Sequence, residues 1–106
     1  MPPPSRHGPV PDAYGATKQQ ATRNIAVFIK DLAESGVAVV SFAPATTCYR
    51  GEGRWAYLLL TDDERRLEIR MPGHPLGEVR GGWTRTHVDG QPWDWDTALE
   101  KCRLPD

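Results

Sequence analysis

This chain of 106 residues has little net charge and no long apolar run. No apolar segment approaches the roughly 20 residues that span a bilayer, so we expect no membrane-spanning helix. The formal net charge is −1, which gives no overall field to hold a polyanion such as DNA. The start of the chain lacks the apolar centre of a secretory signal, and we therefore expect a cytoplasmic protein.

Cysteine is also scarce, which bears on disulfides and on metal sites. Only Cys48 and Cys102 are present. We expect two free thiols in a reducing cytosol, with a disulfide between them as the alternative. Because there is no C-x-x-C pair and no closely spaced pair of histidines, we predict no metal site. The motifs of kinases, P-loop proteins, zincins and nucleophile-elbow hydrolases are absent as well, so we predict no cofactor and no catalytic residue.

The N-terminal segment is rich in proline and has no apolar periodicity. Five of the ten prolines fall within the first eleven residues. Such a segment cannot bury enough surface to offset its ordering entropy. We therefore predict a disordered, Pro-rich arm over residues 1–15 and a single domain over residues 16–106.

The clearest regular element is an amphipathic helix over residues 17–35. Thr17 followed three residues later by Gln20 forms a capping-box pattern, and Gly36 can close the helix in the left-handed conformation. The apolar residues recur at the spacing of one helical face. They are Ala21, Ile25, Phe28, Ile29, Leu32 and Ala33.

Shorter elements follow the helix. In chain order they are predicted strands over 37–42, 55–61, 66–71 and 84–88 and a helix over 97–103 with Asp96 as its N-cap. Pro44 ends the first strand, and residues 45–54 have the composition of a surface loop. The predicted fold class is α+β, with an antiparallel sheet of three to four strands packed on one amphipathic helix and a short C-terminal helix.

The two strands around "DDER" form a predicted hairpin, and the loop length decides which side chains face the core. With an even-membered loop, Leu58 lies opposite Ile69 on the core face. Tyr57 then lies opposite Arg70 on the other face, together with Trp55. A loop of three or five residues would reverse the two faces.

That exposed face and the segment over residues 72–83 are the predicted partner-binding regions. Aromatic rings beside guanidinium groups dominate binding hot spots. The 72–83 segment is rich in glycine and proline, which suits a mobile recognition loop. We predict a non-enzymatic protein that binds a macromolecular partner, with a protein as the leading candidate and inhibition as one outcome. The predicted partner-binding residues are Trp55, Tyr57, Arg66, Arg70, His74, Arg80 and Trp83.

Three alternatives stay open at this point. The same face could stack unpaired bases, which makes a single-stranded nucleic-acid-binding protein the second hypothesis. A small enzyme with His74 or His87 as general base is the third, although no acid or nucleophile at motif spacing identifies a partner for either ring. The structural alternative is that other segments cover the aromatic rings and that residues 72–83 only connect two strands.

The order of these features resembles that of a group of known proteins. A helix, a strand, a strand with an aromatic pair and then an h-R-h-x-x-H-P segment, "IRMPGHP" at 69–75, are similar to small uncharacterised proteins encoded by bacteriophages and prophages. The resemblance covers about residues 20–90. Those proteins would carry Ser-Asp where this chain has Pro72 and Gly73. The resemblance implies a phage or mobile-element origin and no mechanism.

Overall fold

The computed structural model describes residues 15–49 and 53–103, without the side chains of residues 45–49. Within these residues, three helices and five strands follow one another. In chain order they are α1 (Lys18–Glu34), β1 (Val39–Tyr49), β2 (Arg54–Thr61), β3 (Arg66–Pro72), α2 (Leu76–Arg80), β4 (Thr86–Val88), β5 (Gln91–Trp93) and α3 (Trp95–Lys101). The Pro-rich arm predicted over residues 1–15 lies outside the described residues except for Gly15.

The five strands form one antiparallel sheet in which each strand lies beside its neighbours along the chain. The predicted α+β class is confirmed, but the sheet has five strands instead of three to four. The additional strand is β5, which pairs with β4 across a two-residue turn. Asp89 and Gly90 both have positive φ, of 48° and 86°, as this kind of tight hairpin turn requires.

The first strand is longer than predicted. We expected Pro44 to end it, whereas β1 continues through Pro44 to Tyr49, in the stretch predicted to be a loop. Pro44 is tolerated because β1 is the edge of the sheet, where a residue without an N–H leaves no ladder bond unmade on its outer side.

Helix α1 forms where the sequence predicts it. The Thr17 hydroxyl accepts a hydrogen bond from the Gln20 N–H at 3.1 Å, and Gly36 adopts a left-handed φ of 98° after the last turn. The face that α1 buries carries Ala21, Asn24, Ile25, Phe28 and Leu32.

Helix α3 begins earlier than predicted. Its N-cap is Asp94 rather than Asp96, and the Asp94 carboxylate accepts a hydrogen bond from the Thr97 N–H at 3.0 Å. Trp95 therefore starts the helix and becomes buried. Its ring meets the edge of Phe28 at 5.1 Å between centroids, which packs α3 against α1.

The three helices lie on one face of the sheet. Helix α1 packs on β1, β2 and β3, α3 packs on β4 and β5, and α2 contacts α3. One continuous apolar core joins the inner side of the sheet to Phe28, Val79 and Trp95 of the three helices. Among residues 15–49 and 53–103, no helix combines the length and the apolarity needed to cross a membrane.

One buried polar side chain ties α1 to the end of β3. The Asn24 amide donates to the carbonyl oxygens of Pro72, at 2.9 Å, and His74, at 2.8 Å. Its own oxygen accepts from the Gln20 side chain at 2.8 Å. Because Asn24 is fully buried, these bonds offset the cost of removing its amide from water.

Replacement of this residue should therefore destabilise the fold. We expect Asn24→Ala to lower the free energy of unfolding by about 1 to 3 kcal/mol, since two carbonyl groups lose their donor. Urea denaturation measures this change. The matched control is Arg23→Ala on the exposed side of the same turn, for which we expect a change within about 0.5 kcal/mol. Equal losses in the two variants would contradict the role given to Asn24.

Candidate functional site

The turn between β2 and β3 determines which side chains each face of the sheet displays. The Thr61 N–H donates to the Arg65 carbonyl at 3.0 Å, which closes a loop of three residues. Glu64 takes a positive φ of 66°, the left-handed position that three-residue hairpin loops use. The Thr61 hydroxyl also bonds the Asp63 carboxylate, which lowers the pKa of that carboxyl group.

This odd-membered loop overturns the predicted register. Tyr57 lies opposite Ile69 and Leu59 lies opposite Leu67, whereas an even loop would set Tyr57 opposite Arg70. Since facing residues of an antiparallel pair share a side of the sheet, the side chains of β2 exchange sides whereas those of β3 keep theirs. The predicted aromatic and arginine surface is therefore wrong in its aromatic part.

The aromatic side chains of β2 belong to the interior. Tyr57 is only 1% exposed, and its hydroxyl lies 2.9 Å from the Thr22 hydroxyl of α1. Burial raises the pKa of Tyr57 above its usual 10.0. Trp55 is half-buried against the core, and a Cβ on Gly73 would lie 2.6 Å from its ring. Neither ring offers a platform on the side of the sheet away from the helices.

That opposite side, which we name the outer face, is covered by no helix of the described residues. It carries Ser41, Ala43, Ala56, Leu58, Leu60, Arg66, Glu68, Arg70 and His87. Two of its apolar side chains are unusually open, with Leu58 47% and Leu60 36% exposed, and Val40, at the irregularity of β1, is 60% exposed. The outer face thus presents aliphatic groups on β1 and β2 beside a charged row on β3.

The charges of the outer face alternate along β3. Glu68 lies 3.5 Å from the Arg70 guanidinium in an ion pair. Arg66 is exposed and has no ion pair within the described part of the chain. The hairpin turn carries three exposed acids, Asp62, Asp63 and Glu64, of which Asp63 pairs with Arg65, and Arg70 lies at the open end.

The segment over residues 72–83 belongs to the helical layer and not to the outer face. It was predicted to be a mobile loop, but it contains α2, whose Val79 is fully buried, and Thr17 and Asn24 bond its backbone. Arg80 pairs with Asp31 at 3.0 Å and lies over the Trp95 ring at 5.6 Å. The structure therefore brings Arg66 and Arg70 together and places His74 and Arg80 elsewhere.

Trp83 has the largest exposed fraction of the large hydrophobic side chains in the described part of the chain. It follows α2 and is 81% exposed. Gly82, beside it, has a φ of 86°, and the Trp83 N–H bonds the Glu78 carbonyl at 3.0 Å. These contacts fix the backbone at Trp83, and its ring is largely exposed to solvent.

A cleft of about 380 Å³ lies at the turn end of the molecule, between the β2–β3 loop and the ends of α1 and α3. Arg65 lines it but is already engaged, because its guanidinium bonds the Asp63 carboxylate at 2.9 Å and the Cys102 carbonyl at 2.6 Å. This arginine joins the hairpin to α3. Arg65 therefore has a structural role at this cleft.

The described residues offer little support for a reactive Cys102, a metal site or a catalytic His74. Cys102 is a buried free thiol, and burial raises its pKa to about 12, which keeps it protonated. The side chain of Cys48 lies outside the description. No three histidine, cysteine or acidic side chains of residues 15–44 and 53–103 come together as metal ligands would. Nor does any described side chain hydrogen-bond the His74 ring, so a general-base role of His74 has no supporting contact among the described residues.

The contribution of the buried Tyr57 hydroxyl to the free energy of unfolding should depend on pH. At neutral pH, we expect Tyr57→Phe to cost about 0.5 to 1.5 kcal/mol, since one hydrogen bond is lost. Above pH 10 the unfolded wild-type tyrosine ionises before the folded one, so the unfolded state binds fewer protons and wild-type stability falls. The difference between wild type and variant should therefore shrink as the pH rises through 10.

Urea denaturation at a series of alkaline pH values measures this trend. Cys102 contributes a fall of the same sign in both proteins, so it cancels in the comparison. A difference that stays constant from neutral pH to beyond pH 10 would contradict the interior position of Tyr57.

Comparison with known protein families, curated proteins and solved structures finds no match for this chain. Neither the phage resemblance nor any function comes from a relative. The outer face, with its open aliphatic groups and alternating charges, is the feature from which a function can be inferred.

Proposed function

We propose that this protein is a small protein-binding domain that docks on its partner through the outer face. The observation that carries the proposal is the exposure of Leu58 and Leu60 on one side of a sheet whose three helices all pack on the other side. Isolated exposed apolar residues are common, but adjacent ones on a flat sheet face are typical of interaction sites.

The chemistry of the outer face suits a protein surface. Leu58 and Leu60 lie next to each other along one face of β2, and Arg66 and Glu68 flank them on β3. Protein interfaces combine an apolar centre with a polar rim, and they are enriched in arginine. Small-molecule sites are concave, whereas the outer face is one side of an open sheet. We therefore favour a macromolecule over a small ligand.

The nucleic-acid hypothesis loses the observation that motivated it. It required aromatic rings on the exposed face for base stacking. Tyr57 is in the core, and the outer face as defined carries aliphatic side chains in the place of rings. Inhibition of the partner and a phage origin stay predictions from the sequence.

A site-specific photocrosslinking experiment tests the proposal. A photoreactive phenylalanine analogue replaces Leu58 in the full chain expressed in its native host, and mass spectrometry identifies the covalent products. The matched control carries the same analogue at Lys30, an exposed position on α1. We expect light-dependent protein adducts from position 58 and few from position 30.

The same experiment separates the alternatives. Adducts to nucleic acid would contradict the proposal, as would adducts only within the same chain. Identical protein adducts from both positions would show that they reflect abundance and not docking. Circular dichroism of the two substituted proteins confirms that the fold is intact.

A further inference from the structure

The outer face carries charges that match a copy of itself. Its hairpin carries Asp62 and Glu64 at the turn, beside the Asp63–Arg65 ion pair, and Arg70 at the open end. A surface with one acidic and one basic end is complementary to the same surface turned end for end. We propose that the partner docked on the outer face is a second copy of this chain, an inference that rests on the proposed function.

The register of the hairpin gives the position of the symmetry axis. Leu59 lies opposite Leu67, so one line across the strands passes midway between Leu58 and Leu60 and midway between Arg66 and Glu68. We place the outer faces of two copies against each other, with the two sheets about 10 Å apart. A two-fold axis that runs along this line, midway between the sheets, sets each strand antiparallel to the same strand of the second copy.

In this arrangement the aliphatic side chains meet at the centre. Leu58 lies over Leu60 of the second copy, and Leu60 lies over Leu58 of the second copy. Both are more than a third exposed in the single chain, so their contact removes apolar surface from water on both sides. One face thereby supplies both halves of the contact.

The same axis pairs the charges. Arg66, which has no ion pair among the described residues, lies over Glu68 of the second copy. Arg70 lies toward the acidic turn of the second copy. A shift of this register by two residues in either direction would set Glu68 over itself or Arg66 over itself, and like charges in contact are unfavourable.

Pairing at the sheet edge is the competing mode, and Pro44 disfavours it. The backbone N–H of Thr61 points to β3, so the backbone groups of the even-numbered residues of β2 point to β1. In β1, the backbone groups of Phe42 and Pro44 therefore face the open edge of the sheet. Pro44 has no N–H to donate there. An added strand would lose a ladder bond at that position.

The size of the face indicates a weak dimer. The long strands β1 to β3 lie about 4.8 Å apart and span about 14 Å over a length of about 25 Å, whereas β4 and β5 add only three residues each. Two such faces cover about 900 Å² in total, which lies below the usual range of stable specific interfaces. We therefore expect association that depends on protein concentration.

Charge-swapped variants test the second copy directly. Glu68→Arg makes the row on β3 entirely basic, and the double variant Arg66→Glu with Arg70→Glu makes it entirely acidic. We expect each variant alone to weaken dimerisation at least about tenfold, the effect of roughly 1.4 kcal/mol, and an equimolar mixture of the two to restore it as a heterodimer. Sedimentation velocity of the full chain, from low micromolar to submillimolar concentration, measures the association.

Two further variants keep the result interpretable. Leu58→Glu should abolish the dimer while the far-ultraviolet circular dichroism is unchanged. Glu34→Arg, an equal charge change at the exposed end of α1, should leave the dimer unaffected. A dimer that persists in both Leu58→Glu and Glu68→Arg would overturn the assignment of the outer face.

Failure of this inference is distinguishable from failure of the proposed function. A wild-type chain that stays monomeric at every concentration overturns the second copy. If position 58 then crosslinks to a different protein, the protein-binding role stands with another partner. If position 58 crosslinks to no protein, both ideas fail.

Discussion

The closing of the β2–β3 hairpin by Thr61 and Arg65 is the constraint on which the rest of the structure depends. Side chains alternate along a strand, so a change of one residue in the loop moves the side chains of β2 to the opposite side of the sheet relative to those of β3. Three loop residues direct Tyr57 toward α1 and leave Leu58 and Leu60 on the other side. The core and the outer face are two consequences of the same turn.

Several local interactions make that turn favourable. The Thr61 hydroxyl accepts from the Arg65 N–H at 3.0 Å and bonds the Asp63 carboxylate, and the Arg65 guanidinium reaches back to Asp63 at 2.9 Å. Arg65 also bonds the Cys102 carbonyl, which joins the loop to α3. These contacts offset the cost of a positive φ at Glu64, a residue that lacks the freedom of glycine.

The helical layer explains why function is sought on the other side of the sheet. Asn24 holds the end of β3 through two carbonyl groups, and Phe28 packs against Trp95. These contacts commit the 72–83 segment to the packed side, although its glycines and prolines suggest a free loop. Arg80 is likewise engaged with Asp31. What stays open is the outer face with its aliphatic and alternating charged groups, on which we propose that a second copy docks.

The sequence by itself determined the elements whose signals are local. Helix α1, with its Thr17 cap and Gly36 stop, and the existence of the β2–β3 hairpin could be predicted because helical periodicity and alternation act over neighbouring residues. The helix N-cap at Asp94 was missed by two residues, as two acids in close succession offer similar caps. Only the tertiary structure decided the hairpin register, because "DDER" carries no Asn-Gly or Asp-Gly signal and several loop lengths are compatible with it. The contacts of the loop with α3 and of Tyr57 with α1 favour the three-residue loop. These contacts join residues that are far apart in the chain.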